Sequence, residues 1–109
     1  MNIVKTEREF DRLWNDSDAL ICDFSATWCG PCRMLEPTLK KLEKAHKGVA
    51  FAKVDIDANE GLADRMRIRA VPTLFFVRKG KVVKRIEGLE SYEKLDKEAG
   101  RLLAPAKAR

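Results

Sequence analysis

Two cysteines separated by two residues are the groups best suited to chemistry in this sequence. Cys29 and Cys32 follow an apolar run of strand length and stand at the start of a segment with helical spacing. Such a pair is either a redox dithiol or half of a zinc site. A structural zinc site needs four thiolate or imidazole ligands, so Cys22 and His46 would also have to converge on the metal. The predicted strand and helix disfavour that convergence, and no bound metal is expected.

The predicted position of the pair favours redox chemistry. Cys29 falls where a strand ends and a helix begins, so free backbone amides and the helix dipole would stabilise its thiolate. Such a position lowers a thiol pKa from its usual value of about 8.5. Cys32, three positions along the helix, would direct its sulfur inward and have poor access to solvent. We therefore predict that Cys29 attacks a disulfide first and that Cys32 resolves the mixed disulfide.

A carboxylate interrupts the apolar segment that precedes the cysteines. Asp23 lies within Leu20–Ala26, a predicted strand covered on both faces. Burial of a carboxylate there costs several kcal/mol unless the group is paired or neutralised, and it raises the pKa. Such a group can accept the proton of Cys32 when that thiol must attack. Lys53, in the neighbouring predicted strand, would tune Asp23; the alternative is a purely structural Asp23–Lys53 ion pair.

The elements that must position these groups can be predicted from hydrophobic periodicity. A capping box at Thr6 and Glu9 begins the first helix, and Lys79-Gly80 forms a tight turn. Strands are predicted over residues 2–5, 20–26, 49–56, 74–77 and 82–86, and helices begin near residues 6, 32, 59 and 91. Strand–helix–strand order implies parallel pairs with right-handed crossovers, and the closing hairpin adds antiparallel strands. The pattern predicts an α/β domain of three layers, with a mixed sheet between helices on both faces.

Length and composition limit the class of protein. The 109 residues are 45% hydrophobic and 36% charged, which is typical of one soluble globular domain spanning residues 1–109, with a frayed tail over 105–109. No run approaches the roughly 18 apolar residues of a membrane span, and the charged opening is unlike a secretory signal. We expect a cytoplasmic protein that does not associate with membranes.

The net charge of +5 is unevenly distributed. Residues 60–109 hold 13 basic and 7 acidic residues, whereas residues 1–59 hold 9 and 10. Because no aromatic residues are interleaved with these charges, nucleic acid is not an expected partner. Arg65, Arg67 and Arg69 precede Pro72, so one hypothesis is that this face favours acidic proteins. The alternative is a solvated surface.

Several motifs together resemble the thioredoxin family over nearly the whole chain. They are Asp23–Cys32, Lys53–Asp55, Arg69–Leu74, the Lys79-Gly80 turn and Gly88. The resemblance implies a thioredoxin fold, with a five-stranded mixed sheet flanked by four helices. It also implies a general protein-disulfide reductase that cycles between dithiol and disulfide. Its expected partners are disulfide-containing client proteins and a thioredoxin reductase drawing on NADPH, with no cofactor bound to this chain and a monomeric state.

The resemblance also assigns roles to residues around the cysteines. Pro72 would be in the cis form beside the pair, where it blocks metal capture, and Val71 would pair with an extended substrate segment through its backbone. Pro37 would kink the active-site helix. The implied docking rim is apolar and consists of Trp28, Gly30, Pro31, Ala70, Val71, Pro72, Gly88 and Leu89.

Two other functions stay open at this point. One is a disulfide oxidant or isomerase of the same fold, although such proteins usually have a histidine where Pro31 stands. The other is a non-enzymatic binding or assembly module that retains the motif. Cys22 is expected to be a small buried hydrophobe, with a regulatory thiol as the alternative.

Overall fold

The computed structural model describes residues 1–103, so the tail predicted for residues 105–109 lies outside the described residues. Its strands are β1 Asn2–Ile3, β2 Ala19–Ser25, β3 Ala50–Asp55, β4 Thr73–Arg78 and β5 Lys81–Glu87. Its helices are α1 Glu7–Asp16, α2 Gly30–Ala45, α3 Glu60–Arg65 and α4 Tyr92–Leu102. Within residues 1–103, no helix is long and apolar enough to cross a membrane.

The five described strands form one mixed sheet in the order β1-β3-β2-β4-β5. Strands β1, β3 and β2 run parallel, whereas β4 is antiparallel to both β2 and β5. The predicted mixed sheet with four helices is therefore confirmed for residues 1–103. Central β2 places Asp23 opposite Lys53 of β3 on one side and opposite Leu74 of β4 on the other.

Alternation along the strands divides the core between the two faces of the sheet. The face under α2 and α4 includes Ile21, Phe51, Leu74 and Phe76, and the face under α1 and α3 includes Leu20, Cys22, Phe24, Val54 and Phe75. Because side chains alternate, Asp23 shares the α2 face with Ile21, and Cys22 faces away from it. Cys22 is fully buried, and burial raises the pKa of its thiol far above the usual range. It therefore packs as a small apolar side chain.

The local signals at α1 and the closing hairpin are confirmed. The Thr6 side chain accepts from the Glu9 N–H, and the Glu9 carboxylate accepts from the Thr6 N–H, which completes the capping box. Lys79 and Gly80 both have positive φ (48° and 80°), as the turn of a two-residue hairpin requires. The indole N–H of Trp14 donates to the Gly80 carbonyl at 3.0 Å, which anchors α1 to this turn.

Helix α2 begins two residues before the predicted start at Cys32. Pro31 fits its first turn because proline needs no helical N–H there. Pro37 lies inside the helix, which continues to Ala45, so the predicted kink is compatible with an unbroken helix and stays a prediction. Buried Leu35, Leu39 and Leu42 hold the helix against the sheet; their spacing keeps one face of α2 above β2 and β3.

Truncation of this packing should destabilise the protein. Leu39→Ala removes a fully buried side chain, so we expect the free energy of unfolding to fall by about 3 kcal/mol. The matched control is the exposed neighbour Lys40→Ala, which should change it by no more than about 0.5 kcal/mol. Urea unfolding of the oxidised protein measures both values. Equal effects of the two substitutions would show that α2 is not held by this contact.

Candidate active site

The two cysteines form a disulfide at the start of α2. Cys29 and Cys32 have their Cα atoms 5.2 Å apart, within the range that a disulfide spans without backbone movement. Cys29 is the N-cap residue of the helix and follows the turn that leaves β2. The strand–turn–helix junction predicted from the sequence therefore places both sulfurs at one end of the sheet.

The helix start distinguishes the two sulfurs electrostatically. The backbone N–H of Cys32 donates to the Sγ of Cys29 at 3.1 Å. An amide at a helix N-terminus stabilises a thiolate on the sulfur that it faces. This contact supports the prediction that Cys29 is the nucleophile, because the amide points at Cys29 rather than at Cys32.

The predicted difference in solvent access between the two cysteines is wrong for the disulfide form. Cys29 is 5% exposed and Cys32 is 4% exposed. Ala26, Ile56 and Val71 pack around the pair, and the Val71 carbonyl oxygen lies 3.7 Å from the Cys29 sulfur. Because this loop covers Cys29 as well, exposure does not separate the roles.

The loop that covers the cysteines contains a cis peptide bond between Val71 and Pro72, as the resemblance implied. The Thr73 hydroxyl donates to the Ala70 carbonyl at 2.6 Å, and the Gly88 N–H donates to the Pro72 carbonyl at 2.8 Å. Gly88 has φ of +88°, a conformation that glycine adopts without strain. These bonds fix the loop beside the disulfide.

An exposed apolar groove borders the disulfide. Trp28 is 64% exposed, which excludes a core role, and its indole N–H donates to Asp57 Oδ2 at 2.7 Å. Leu89 is also exposed, whereas Pro72 is buried behind the groove. A cavity of about 240 Å³ is lined by Trp28, Ile56, Ile68, Arg69, Ala70 and Val71.

The residues that line the groove differ from the predicted docking rim in both directions. Ile56 and Ile68 line the cavity but are absent from the predicted rim, although both are apolar and Ile56 directly follows β3. The other rim residues, Gly30, Pro31, Pro72, Gly88 and Leu89, do not line this cavity. Their predicted contact with partners stays a prediction.

Only one of the three arginines before Pro72 lines the groove. Arg65 forms ion pairs with two carboxylates of α1, because its guanidinium lies 3.0 Å from Glu7 and 2.6 Å from Asp11. Arg69 is 80% exposed and lies 3.2 Å from Glu87, at the groove. Arg65 therefore does not support the hypothesis of an acidic partner, because its charge is already neutralised by Glu7 and Asp11.

Asp23 is buried in the sheet beneath α2. It is 2% exposed, and its Oδ1 has no hydrogen-bond partner among the described residues. Burial raises the pKa of Asp23 from 3.8 to about 7; the positive charge of Lys53 opposes this rise and the negative charge of Glu36 adds to it. A buried polar group without a partner requires an explanation, and a catalytic role is one.

Lys53 does not form the structural ion pair with Asp23 that the sequence left open. Its ammonium group lies 2.5 Å from Glu36 Oε2, and this hydrogen bond holds the pKa of Glu36 below its usual range. Glu36 was not among the site residues predicted from the sequence. The available signal was its spacing: Glu36 is four residues after Cys32 and therefore on the same face of α2.

Two cavities are lined in part by the Lys53–Glu36 ion pair. One, of about 260 Å³, has Cys32 in its lining, and the other, of about 190 Å³, has Asp23. Lys53 and Glu36 line both cavities. The structure thus places Cys32, the Asp23 carboxyl group and the Lys53–Glu36 ion pair around two cavities that share Lys53 and Glu36.

The four residues that a zinc site would need do not converge. Cys22 faces the opposite side of the sheet from Asp23, and His46 lies at the far end of α2, 2.6 Å from Asp96 of α4. Within residues 1–103, no group of three or more histidine, cysteine or acidic residues is placed to hold a metal.

A disulfide at a helix start, a cis proline beside it and a buried carboxyl group behind it define the thioredoxin-fold class of thiol–disulfide oxidoreductases. The family model "Thioredoxin" matches residues 1–100, and the chain belongs to the thioredoxin family. It is a thiol–disulfide oxidoreductase with reductase function, whose redox-active pair is Cys29–Cys32.

Individual relatives agree with this assignment. Thioredoxin H2-1 of Oryza sativa subsp. japonica is 39% identical over 94 residues, 83% of this chain and 68% of the rice protein. "Thioredoxin-3, mitochondrial" of Saccharomyces cerevisiae is 40% identical over 80 residues, 73% of this chain and 63% of the yeast protein. The structure of a mutant thioredoxin from Halobacterium salinarum superposes with a TM-score of 0.90 at 34% identity, covering 97% of this chain and 93% of that chain. The chain thus matches about two thirds of the length of the two curated relatives.

Replacement of the buried carboxyl group should change how stability depends on pH. The pKa of Asp23 is about 7 in the folded protein and about 4 in the unfolded chain, so the folded state binds the extra proton between these values. This contribution is therefore favourable below about pH 4 and is progressively lost as the pH rises to 7. Asp23→Asn abolishes the loss, so above pH 7 the oxidised variant should be more stable than wild type by up to about 4 kcal/mol.

Urea unfolding across this pH range measures the difference. The matched control is Asp64→Asn, an exposed carboxyl group on α3 that should leave the pH dependence of wild type in place. Parallel stability curves for wild type and Asp23→Asn would contradict a raised Asp23 pKa.

Proposed function

We propose that the protein is a general protein-disulfide reductase in which Asp23 accepts the proton of the resolving cysteine. The observation that carries this proposal is the joint placement of the Cys29–Cys32 disulfide at the start of α2 and of a buried carboxyl group beneath that helix. The helix start stabilises the Cys29 thiolate, and the buried carboxyl group accepts the proton of Cys32. Two exposed thiols could form a disulfide without a helix start or a buried carboxyl group beside them.

The reaction proceeds in two exchanges. In the reduced protein, the Cys29 thiolate attacks one sulfur of a client disulfide; a mixed disulfide forms and one client thiolate leaves. Cys32 then transfers its proton to the Asp23 carboxylate, and its thiolate attacks the Cys29 sulfur. The Cys29–Cys32 disulfide forms, and the second client thiolate leaves. The client gains two electrons, the dithiol loses two, and the departing thiolates take up protons.

The pKa of Asp23 suits this transfer. At a pKa of about 7, a large fraction of the carboxyl groups is ionised at neutral pH and can accept a proton. The same group is far more basic than an exposed aspartate, which ionises near pH 4. A general base functions best when its pKa lies near the working pH, because it is then both available and strong enough.

The groove beside Trp28 is the proposed docking site for clients. Its apolar lining and the position of Val71 beside Cys29 suit an extended segment that adds as a strand to the Val71 backbone. We include Gly30, Pro31, Gly88 and Leu89 in the surface that surrounds this segment. A client disulfide held there would lie next to the nucleophilic sulfur.

The electron supply and the cellular setting complete the proposal. The two sulfurs store the electrons, so the protein needs no bound cofactor and is recharged by a thioredoxin reductase that draws on NADPH. We propose that it acts as a monomer in the cytoplasm. The buried free thiol of Cys22 supports the cytoplasmic part of this proposal, because it suits a reducing compartment.

Single substitutions of the two cysteines separate the two exchanges. Cys32→Ser should still attack a disulfide-bonded client but should not resolve the product, so a mixed disulfide through Cys29 accumulates. Cys29→Ser should form no such adduct, and its client reduction should fall to background. Non-reducing electrophoresis and mass spectrometry of the adduct measure both results.

Cys22→Ala is the matched control, because Cys22 faces the opposite side of the sheet and should leave client reduction intact. Client reduction by Cys29→Ser at the wild-type rate, or an adduct formed through Cys22, would contradict the proposed order of attack.

A further inference from the structure

Lys53 stands between two carboxyl groups that differ in exposure. It is the register partner of buried Asp23 across the β2–β3 pair, yet its ammonium group lies 2.5 Å from Glu36 Oε2. The Glu36 side chain is 45% exposed, whereas Asp23 is 2% exposed and keeps one carboxylate oxygen without a partner among the described residues. The positive charge is thus bonded to the carboxyl group that solvent already stabilises.

The charged and titratable groups around Asp23 come from β3, α2 and the amino terminus. Those that line the two cavities are Lys53 and Asp55 of β3 and Cys32, Arg33, Glu36, Lys40 and Glu43 of α2. The neighbour on β4 is Leu74, which carries no charge. Glu43 is engaged by the amino group of Met1 at 2.8 Å. Lys53 and Glu36 are the two residues whose charges shift the pKa of Asp23.

We propose that Glu36 is a positioning residue for the resolving half of the reaction: it holds the Lys53 ammonium group on the solvent side of Asp23, so that the Asp23 carboxyl group is free to take up the proton of Cys32. This inference deepens the proposed function and rests on it. Glu36 itself exchanges no proton with Cys32. It acts through the position of Lys53 and through its own negative charge.

Loss of the Glu36 carboxylate would redirect the Lys53 ammonium group. Asp23, the partner of Lys53 across the sheet, would then be the buried carboxyl group toward which that charge is drawn. An ion pair there would favour the Asp23 carboxylate and make it a weaker base. The chain would then hold an ionised Asp23 at neutral pH that is poorly suited to accept a proton from a thiol.

The test uses the full-length protein and the variant Glu36→Gln, which keeps the shape of the side chain and removes its charge. We expect the pKa of Asp23, followed by carboxyl-carbon NMR in the oxidised protein, to fall by about 1. The pH midpoint for resolution of the mixed disulfide should fall by the same amount. It is measured by stopped-flow after the reduced protein is mixed with a disulfide-bonded client. Glu43→Gln is the matched control, because it removes a carboxylate from the same cavity and should leave both midpoints unchanged.

A second pair of variants tests the route through Lys53. In a Lys53→Gln background, Glu36→Gln should lower the pKa of Asp23 by less than half as much as it does with Lys53 present. An equal fall in both backgrounds would overturn the positioning role and leave only a direct effect of charge. An unchanged pKa of Asp23 in Glu36→Gln would overturn the proposal outright.

The Asp23→Asn variant distinguishes this outcome from failure of the proposed function. Suppose that Asp23→Asn slows resolution and removes its pH midpoint while Glu36→Gln changes nothing. Proton transfer to Asp23 is then supported, and the positioning role of Glu36 is wrong. If Asp23→Asn leaves the rate and the midpoint of resolution as in wild type, the proton transfer to Asp23 is itself wrong.

Discussion

The burial of the Asp23 carboxyl group is the constraint on which the rest of the site depends. A charged carboxylate in the middle of a sheet costs several kcal/mol unless it is paired or neutralised. Here the side chain is 2% exposed and Lys53 is bonded to Glu36, so the carboxyl group holds its proton more tightly than an exposed aspartate does. The pKa of about 7 is the result of that burial. This burial lowers the stability of the folded protein above neutral pH, at the position of the proposed proton acceptor.

Helix α2 positions the two sulfurs relative to the buried Asp23 carboxyl group. The backbone N–H of Cys32 faces the Cys29 sulfur, and the same side of the helix carries Cys32 and, one turn later, the half-exposed Glu36. Three buried leucines of the same helix fix it to the sheet, so the sulfurs, the buried carboxyl group and the Lys53 ion pair keep their relative positions. The positions of Cys29, Cys32 and Glu36 therefore all depend on how this one helix packs on the sheet.

Much of this arrangement could be predicted from the sequence, because local signals are strong where backbone geometry is simple. The capping box, the Lys79-Gly80 turn and the apolar strands were each predicted, as was Asp23 in a buried strand. Contacts between distant residues were not: Arg65 finds its carboxylates on α1, and the Val71 loop covers Cys29 as fully as Cys32. Glu36 was missed because a single glutamate on an amphipathic helix is ordinarily a solvated residue, and only the folded chain shows that it captures Lys53.

In the proposed reaction, the dithiol form of the Cys29–Cys32 pair reduces client disulfides. The reduction potential of this pair, obtained by equilibrating the protein against defined dithiol buffers, tests it most directly. A reductant should have a potential below about −240 mV, so that its dithiol form gives electrons to protein disulfides. A potential of about −120 to −180 mV would instead make the protein a disulfide donor or isomerase and would contradict a role as a reductase.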